Sequence, residues 1–110
     1  MSFALLTSSR FDRLIKRLGK KHRSIPDDFA GLLQELRVSP QSGEPLGRDC
    51  YKVRMAIGSK GKGKSGGTRV ITCVKIVGQT VFLLTIYDKA DQETISDAER
   101  DALLRENGLL

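Results

Sequence analysis

Residues 68–87, TRVITCVKIVGQTVFLLTIY, form the most informative stretch of the chain. Two runs rich in β-branched and aromatic residues flank Gly78-Gln79, and this pattern predicts two strands joined by a tight turn. Upstream, residues 50–57 (CYKVRMAI) alternate between apolar and polar side chains, which predicts a further strand of the same sheet. The alternation places Lys52 and Arg54 together on the polar side of that strand. The sequence therefore predicts a three-stranded meander with a pair of cations on one face.

Two amphipathic helices are predicted before the meander, each from apolar residues spaced at i, i+3, i+4 and i+7. The first stripe follows an N-cap at Ser8 or Ser9, and the second follows Pro26. The members of the two stripes are Phe11, Leu14, Ile15 and Leu18, then Phe29, Leu32, Leu33 and Leu36. Two such helices in succession predict an αα-hairpin with one shared buried side.

The remaining segments complete the predicted order of elements. Residues 3–7 are short and apolar and are predicted to be a first strand, whereas residues 39–49 are rich in Pro, Gly and Ser and are predicted to be a loop. Ser96-Asp-Ala-Glu99 is a capping box that opens a short C-terminal helix through Glu106. The order is β-α-α-β-β-β-α. This predicts one α+β domain over residues 1–110, with helices packed on one face of an antiparallel sheet of about four strands.

Basic residues outnumber acidic ones, 19 Lys and Arg against 13 Asp and Glu, and they are unevenly distributed. Residues 1–87 hold 16 basic and 6 acidic side chains, whereas residues 88–110 hold 3 and 7. A basic body with an acidic C-terminal segment is typical of a protein that meets a polyanion on one face. A solvated cationic surface without a ligand is the simpler alternative.

Metal, cofactor and membrane functions are not expected. Cys50 and Cys73 fit no C-x-x-C spacing and His22 is the single histidine, so no metal site and no cofactor are predicted. Both cysteines are predicted to be buried free thiols. No segment approaches the ~20 apolar residues of a membrane span. The first ten residues lack the pattern of a signal peptide, and the expected location is the cytoplasm.

A glycine-rich basic loop, GSKGKGKSGGTR (58–69), contains no acidic and no apolar side chain. Its cations are Lys60, Lys62, Lys64 and Arg69. Glycine lets the backbone approach a ligand closely and lysine supplies mobile ammonium groups, so the three lysines are predicted to bind phosphate oxygens. A solvated hairpin connection is again the simpler alternative.

The same loop matches a Walker A pattern, with Gly58, four further residues and then Gly63-Lys64-Ser65. A phosphate-binding loop of that kind opens a helix whose N-terminal N–H groups meet the phosphate. Here Gly66-Gly67 and strand-like residues follow instead. The chain is also too short for the parallel βαβ units of that fold, so a nucleotide triphosphatase is not predicted.

Four motifs resemble those of the RelE/ParE superfamily of bacterial toxins, and most of all its HigB/RelE-type members: YKVRMA (51–56), GKGKSGGTRVI (61–71), VFLLTIYDKAD (81–91) and ISDAE (95–99). The resemblance implies a RelE-like fold. It also implies a type II toxin that is monomeric when free and forms a higher-order complex with a cognate antitoxin. RelE and HigB members are mRNA interferases that cleave messages in the ribosomal A site, whereas ParE members poison DNA gyrase. Fold alone does not separate these branches.

The resemblance further implies residues for RNA cleavage. In such cleavage the RNA 2′-OH attacks the adjacent phosphate and leaves a 2′,3′-cyclic phosphate and a 5′-OH. The protein therefore supplies positive charge and proton transfer, and no metal is needed. Lys52 and Arg54 match the family's basic pair, and Arg69 matches an arginine that stabilises transition-state charge. Tyr87 and Lys89 stand where members carry residues that stack on a base or assist proton transfer.

Each assignment has a simpler alternative. Lys52 and Arg54 also fit a solvated outer sheet face, and Tyr87 also fits a packing role at a strand end. A Tyr87 that transfers a proton needs nearby cations to lower its pKa from ~10, or a lysine serves instead. His22 matches no catalytic histidine of the HigB branch and is predicted to lie on the surface.

Three functions are compatible with these patterns. The first is a ribosome-dependent endoribonuclease toxin, for which the cationic strand pair, Arg69 and the basic loop are the motivation. The second is a gyrase inhibitor without nuclease activity, and the third is a nucleic-acid-binding module without toxicity. The acidic C-terminal helix, residues 96–106, is in addition a candidate shield for the basic site.

Overall fold

Five strands and three α-helices make up the described part of the chain in the computed structural model, namely residues 3–61, 63 and 66–110. In chain order they are β1 (Ala4–Thr7), α1 (Ser9–Lys21), α2 (Ile25–Val38), β2 (Glu44–Gly47), β3 (Cys50–Met55), β4 (Thr68–Lys75), β5 (Thr80–Asp88) and α3 (Asp97–Glu106). One turn of 3-10 helix, Gly58–Lys60, follows β3. The α+β class and the predicted succession of helices and meander strands are confirmed.

The strands form one sheet in the order β1-β5-β4-β3-β2. β1 runs parallel to β5, whereas the pairs β5–β4, β4–β3 and β3–β2 are antiparallel. The prediction of an antiparallel sheet of about four strands was therefore wrong in two details. The sheet is mixed, and it has a fifth strand.

The additional strand, β2, lies within residues 39–49, which were predicted to be a loop. Pro45 and Gly47 are loop signals, but Pro is tolerated in an edge strand because its missing N–H faces no neighbour there. β2 is the outermost strand, and its register shifts between these two residues. Arg48 and Asp49 then turn the chain into β3 with φ of 52° and 65°, the left-handed conformation of a two-residue hairpin turn.

The helices cover both faces of the sheet. α1 and α2 pack on one face, where Phe11, Leu32 and Leu36 join the alternate strand residues in the larger buried cluster. α3 packs on the other face through Leu104, which lies in a second cluster with Ile71, Leu84 and both cysteines. The expectation that all helices share one face was wrong for α3. A period-2 strand pattern shows that a face is apolar, but it does not say which helix covers it.

Two predicted helix starts are confirmed in atomic detail. The Ser8 hydroxyl accepts a hydrogen bond from the Phe11 N–H (3.0 Å) and donates one to the Leu84 carbonyl (2.7 Å), so the N-cap also ties α1 to β5. Ser96 and Glu99 form the reciprocal bonds of a capping box at the start of α3. Among the described helices, none has the length and apolar character that crossing a bilayer requires.

Candidate functional site

Arg54, Arg69 and Tyr87 occupy directly opposed positions on β3, β4 and β5. Opposed residues of antiparallel strands project to the same face with Cβ atoms about 5 Å apart, so the three side chains form one row across the sheet. Lys52 lies two residues before Arg54 and therefore on the same face. The structure thus brings together four of the predicted site residues, and we call them the cationic row.

Arg54 and Arg69 differ sharply in accessibility. Arg54 is exposed, because β2 pairs only with the first residues of β3 and leaves an open edge beside it. Arg69 is only 1% exposed, and its Nη1 donates a hydrogen bond to the Thr68 carbonyl oxygen at 3.1 Å. In this conformation Arg54 is the arginine that a phosphate can reach, and Arg69 contributes its charge from below the surface.

Tyr87 is half-buried, and its hydroxyl makes no hydrogen bond to any group in the described part of the chain. Burial raises the pKa of this phenol to about 12, against the lowering effect of Arg69 and with smaller contributions from nearby acids, of which Glu93 is the largest. The lowered pKa that a proton-accepting tyrosine needs is therefore not found here. At neutral pH the Tyr87 hydroxyl therefore keeps its proton.

Lys52 is held by two groups of the chain itself. Its Nζ lies 3.3 Å from a carboxylate oxygen of Glu44 on β2 and 3.4 Å from the Glu93 carbonyl oxygen, and its side chain is 12% exposed. Lys52 and Arg54 both line a cleft of about 450 Å³ with Glu35, Glu44 and Glu93 as its acidic residues. Acidic groups of the chain thus surround the cations at this end of the row.

The basic loop is anchored at both ends. At its start, both carboxylate oxygens of Asp28 accept hydrogen bonds from the Gly58 N–H (3.2 and 3.1 Å). At its end, the Lys89 N–H donates to the Gly67 carbonyl oxygen at 3.1 Å. Of the described elements, the one that follows the loop is strand β4, whereas a Walker A motif opens a helix.

The predicted loop cations are placed as follows. Lys60 lies in the 3-10 turn and forms an ion pair with Asp88 at the end of β5 (3.3 Å). Lys89 is half-buried just beyond β5 and adjoins the loop through its backbone. Lys62 and Lys64 lie outside the described residues. The two described lysines are therefore near the end of β5 that carries Tyr87, apart from the Lys52 end of the row.

Two clefts flank Tyr87 at the edge of the sheet, because β1 pairs only with Thr80–Leu83 and leaves the second half of β5 uncovered. A cleft of about 380 Å³ lies on the α3 side and is lined by Thr85, Tyr87 and Glu99 among others. A second cleft of about 370 Å³ lies on the α1 side, where Arg17, Lys21 and His22 face Tyr87 and Asp88.

His22 and the α1 cations are residues that sequence reasoning did not assign to the site. His22 is the C-cap of α1 and is half-buried at the cleft, rather than on the open surface as predicted. The helical spacing of Arg17 and Lys21 showed that they share a face, but nothing in the sequence indicated that this face adjoins β5. That relationship arises only from the packing of α1 on the sheet.

The acidic residues of α3 are paired mainly with arginines outside the cationic row. Glu106 forms two hydrogen bonds with the Arg10 guanidinium (2.8 and 2.6 Å), which lowers the pKa of Glu106 and clasps α3 to α1. Asp101 pairs with Arg48 (3.1 Å) and with Arg100 (3.0 Å). Of the α3 acids, Glu99 and Glu106 line the cleft beside Tyr87, and the Glu106 carboxylate is already bound by Arg10.

In the described residues, no group of three or more His, Cys, Asp or Glu side chains is arranged to hold a metal ion. The chemistry that the described site offers is therefore positive charge from Lys52, Arg54 and Arg69 together with a protonated phenol. This combination suits a phosphate whose negative charge increases during reaction.

Solved structures of E. coli RelE share this fold. A double arginine-to-alanine mutant of E. coli toxin RelE in the free state matches with a TM-score of 0.65 and 23% identity, covering 92% of this chain and 98% of that chain. A chain of the intact E. coli RelBE toxin–antitoxin complex matches with a TM-score of 0.60 and 21% identity, over 78% of this chain and 95% of that one. The isolated E. coli RelE toxin matches with a TM-score of 0.60 and 21% identity, covering 94% of this chain and 97% of that chain.

The family model for the RelE toxin of the RelE/RelB toxin–antitoxin system matches residues 12–108. The match covers most of the chain, from the first turn of α1 to beyond the end of α3. The chain belongs to the RelE toxin family.

Proposed function

We propose that this chain is the toxin of a type II toxin–antitoxin system and acts as a ribosome-dependent mRNA endoribonuclease. The observation that carries the proposal is the cationic row, in which Arg54, Arg69 and Tyr87 lie side by side with Lys52 on the same face. Such a row offers positive charge and a proton donor within the span of one phosphodiester group. Those are two of the contributions that metal-independent cleavage through the RNA 2′-OH demands, the other being removal of the 2′-OH proton.

The residues take different parts in the proposed reaction. Arg54, which is exposed, and Lys52 bind the phosphate and stabilise the charge that develops on its oxygens. Tyr87, which is protonated at neutral pH, gives its proton to the departing 5′ oxygen. Arg69, the buried member of the row, adds positive charge whose effect is strengthened by its low exposure to solvent. Lys60, Lys89 and the remaining loop lysines position the RNA backbone.

The proposed partner is a cognate antitoxin, with the free toxin as a monomer and a higher-order toxin–antitoxin complex in the neutralised state. The support is the family membership and the likeness to a chain from the E. coli RelBE complex. A polypeptide with acidic side chains is expected to cover the cationic row, because Glu44 and Glu93 already show that this surface accepts carboxylate and carbonyl oxygens.

The decisive experiment is primer extension on a reporter mRNA from cells that express the chain briefly, with and without ongoing translation. We expect discrete cuts that depend on translation and that disappear in an Arg54→Ala variant. Arg37→Ala is the matched control, because Arg37 is an exposed arginine at the end of α2 and away from the row. Circular dichroism of both variants establishes that each is folded.

The other outcomes separate the competing functions. Growth arrest with an uncut message and an induced SOS response would show a gyrase-directed inhibitor instead. Normal growth on overexpression would indicate a binding module without toxicity. Cuts that persist unchanged in Arg54→Ala would retain the nuclease function but overturn the role of the cationic row.

A further inference from the structure

Cys50 and Cys73 lie directly opposite each other on β3 and β4. Both side chains are buried, with 1% and 0% exposure, and both are free thiols. They lie on the face of the sheet that α3 covers, in one cluster with Leu104. Because the two cysteines are opposed in adjacent strands, the backbone pairing of β3 with β4 fixes the distance between them.

The ladder places this pair at a narrow position. The Val74 N–H donates a hydrogen bond to the Asp49 carbonyl oxygen at 2.9 Å. These two residues flank the cysteines on the outer side, so Cys50 and Cys73 themselves are a non-hydrogen-bonded pair of the ladder. In such a pair the Cα atoms are about 4.5 Å apart, which lies within the ~4.4–6.8 Å range over which a disulfide spans two cysteines. No rearrangement of the backbone is needed to join them.

The electrostatic surroundings make the two sulfurs unequal. The hydrogen-bond interaction between the thiols lowers the pKa of Cys73 and raises the pKa of Cys50, and the charge of Lys75 lowers the pKa of Cys73 further, against the raising effect of burial. The sulfur that ionises first is therefore that of Cys73. The thiolate is the reactive form of cysteine, and a neighbouring thiol is what resolves an oxidised sulfur into a disulfide.

We propose that Cys50 and Cys73 form a redox-active dithiol that a hydroperoxide converts reversibly into an intramolecular disulfide across β3 and β4. The Cys73 sulfur attacks the O–O bond of hydrogen peroxide, which gives a sulfenic acid and one water. The Cys50 sulfur then attacks that sulfenic sulfur and displaces its hydroxyl group, which takes up the Cys50 proton and leaves as the second water. Two thiols and one hydrogen peroxide thus give one disulfide and two waters.

Access to the pair is controlled by α3. Leu104 covers the cluster, and α3 is held in place by the Arg10–Glu106 ion pair and by the hydrogen bond from Arg100 to the Leu46 carbonyl (2.6 Å). An oxidant therefore reaches Cys73 only when α3 lifts from the sheet. Loosening α3 is expected to accelerate oxidation, because the rate depends on how often α3 opens and exposes the thiols.

The crosslink also joins the two strands that carry the arginines of the cationic row. It closes the segment of 51–72, which includes Lys52, Arg54, the basic loop and Arg69. A disulfide across a loop of this length restricts the unfolded chain, so we expect the melting temperature of the oxidised form to rise by about 5–10 °C. The reduced and oxidised forms are thereby distinguishable without any measurement of toxin activity.

The test is treatment of the full-length native chain with hydrogen peroxide, followed by blocking of free thiols, digestion and mass spectrometry. We expect a peptide pair linked through Cys50 and Cys73, a mass decrease of about 2 Da in the intact monomer, and full reversal by dithiothreitol. In a Leu104→Ala variant, oxidation should be about tenfold faster or more. Cys50→Ala is the control, since the remaining Cys73 thiol of this variant has no opposed cysteine with which to form a disulfide.

Three results would overturn the proposal. One is that both thiols can still be alkylated when the peroxide-treated chain is afterwards unfolded. Another is that the crosslink forms only in urea, because the native ladder would then have no part in it. The third is that peroxide yields crosslinked dimers instead of an internal disulfide.

Discussion

Arg69 on β4 lies directly opposite Tyr87 on β5, so a guanidinium group with 1% exposure shares one face of the sheet with a half-buried phenol. The positive charge of Arg69 acts to lower the pKa of Tyr87, but burial outweighs it and the pKa settles at about 12. The pair therefore combines a permanent cation with a hydroxyl that retains its proton at physiological pH. This is the arrangement of a proton donor beside an anion-stabilising charge.

Removal of the Arg69 charge should raise the pKa of Tyr87 further. We expect an Arg69→Gln variant to show a higher phenol pKa than the parent, because the lowering contribution is lost while burial and the acids remain. The measurement is an ultraviolet titration in a Tyr51→Phe background, which leaves Tyr87 as the single tyrosine. An unchanged or lower pKa in a folded variant would show that the two side chains do not interact.

Stability at high pH should depend on Tyr87. Its pKa in the folded chain, about 12, exceeds the value of ~10 expected in the unfolded chain, so the unfolded state loses its proton first. The resulting contribution to stability is complete below pH ~10 and disappears as the pH rises toward 12. Thermal melts should show the parent losing stability relative to Tyr87→Phe as the pH rises between these limits, and parallel curves would contradict the raised pKa.

Tyr87→Phe should also impair cleavage. Loss of a proton donor costs about 100-fold or more in the rate of the chemical step, whereas the phenyl ring preserves packing and any stacking on a base. Single-turnover cleavage of mRNA on programmed ribosomes measures this step. Tyr51→Phe is the matched control, because Tyr51 packs against the cluster on the opposite face. Equal rates for the two variants would remove Tyr87 from the mechanism.

The cations of α1 should contribute to RNA binding. Arg17 and Lys21 line the cleft beside Tyr87, whereas Lys16 and Lys20 are exposed cations of the same helix that do not line it. Neutralising Arg17 and Lys21 to Gln should weaken RNA binding and reduce the slope of log K against log salt by about 1.4, which is the effect of two lost single-strand contacts. The Lys16→Gln/Lys20→Gln pair should change the slope less. Equal losses of RNA affinity in the two double variants would indicate a general effect of charge.

Two glycines should respond oppositely to alanine. A Cβ on Gly67 would lie 2.5 Å from the Met55 carbonyl oxygen and 2.9 Å from the Ala56 Cα, so β3 and β4 would have to separate beside the cationic row. We expect Gly67→Ala to cost about 1–3 kcal/mol in the free energy of unfolding. Gly31 lies in α2 with no atom within 4 Å of such a Cβ, and Gly31→Ala should stabilise by up to about 1 kcal/mol. Chemical denaturation measures both, and similar values would refute the steric explanation.

Local sequence patterns predicted the parts of the fold that local interactions determine. The alternation in β3 placed Lys52 and Arg54 on one face, and the serines at 8 and 96 marked helix starts, because these features depend on neighbours within a few residues. β2 was missed, since its Pro and Gly favour a loop and only pairing with β3 makes it a strand. Such pairing is a tertiary effect that propensity does not record.

The candidate site could be predicted from the sequence to a similar extent. Residue type and strand register identified the cations of the row, but not their different accessibility. The burial of Arg69 and the raised pKa of Tyr87 depend on groups from other strands, α3 and the segment before it. Likewise, the position of His22 at the cleft results from the packing of α1 against β5, which lies far away in sequence.

The pairing of β1 with β5 has a consequence for the order in which the chain acquires its activity during synthesis. The N-cap serine that follows β1 bonds to a carbonyl 76 residues later, and the β1 backbone finds its partner only in Thr80–Leu83. Until β5 has left the ribosomal tunnel, β1 and α1 of the nascent chain have no sheet on which to pack. Tyr87 lies in the same strand and emerges within the same short interval, so closure of the sheet and completion of the cationic row coincide. A ribosome that makes this protein therefore carries a chain with an incomplete sheet and an incomplete cationic row until β5 has emerged.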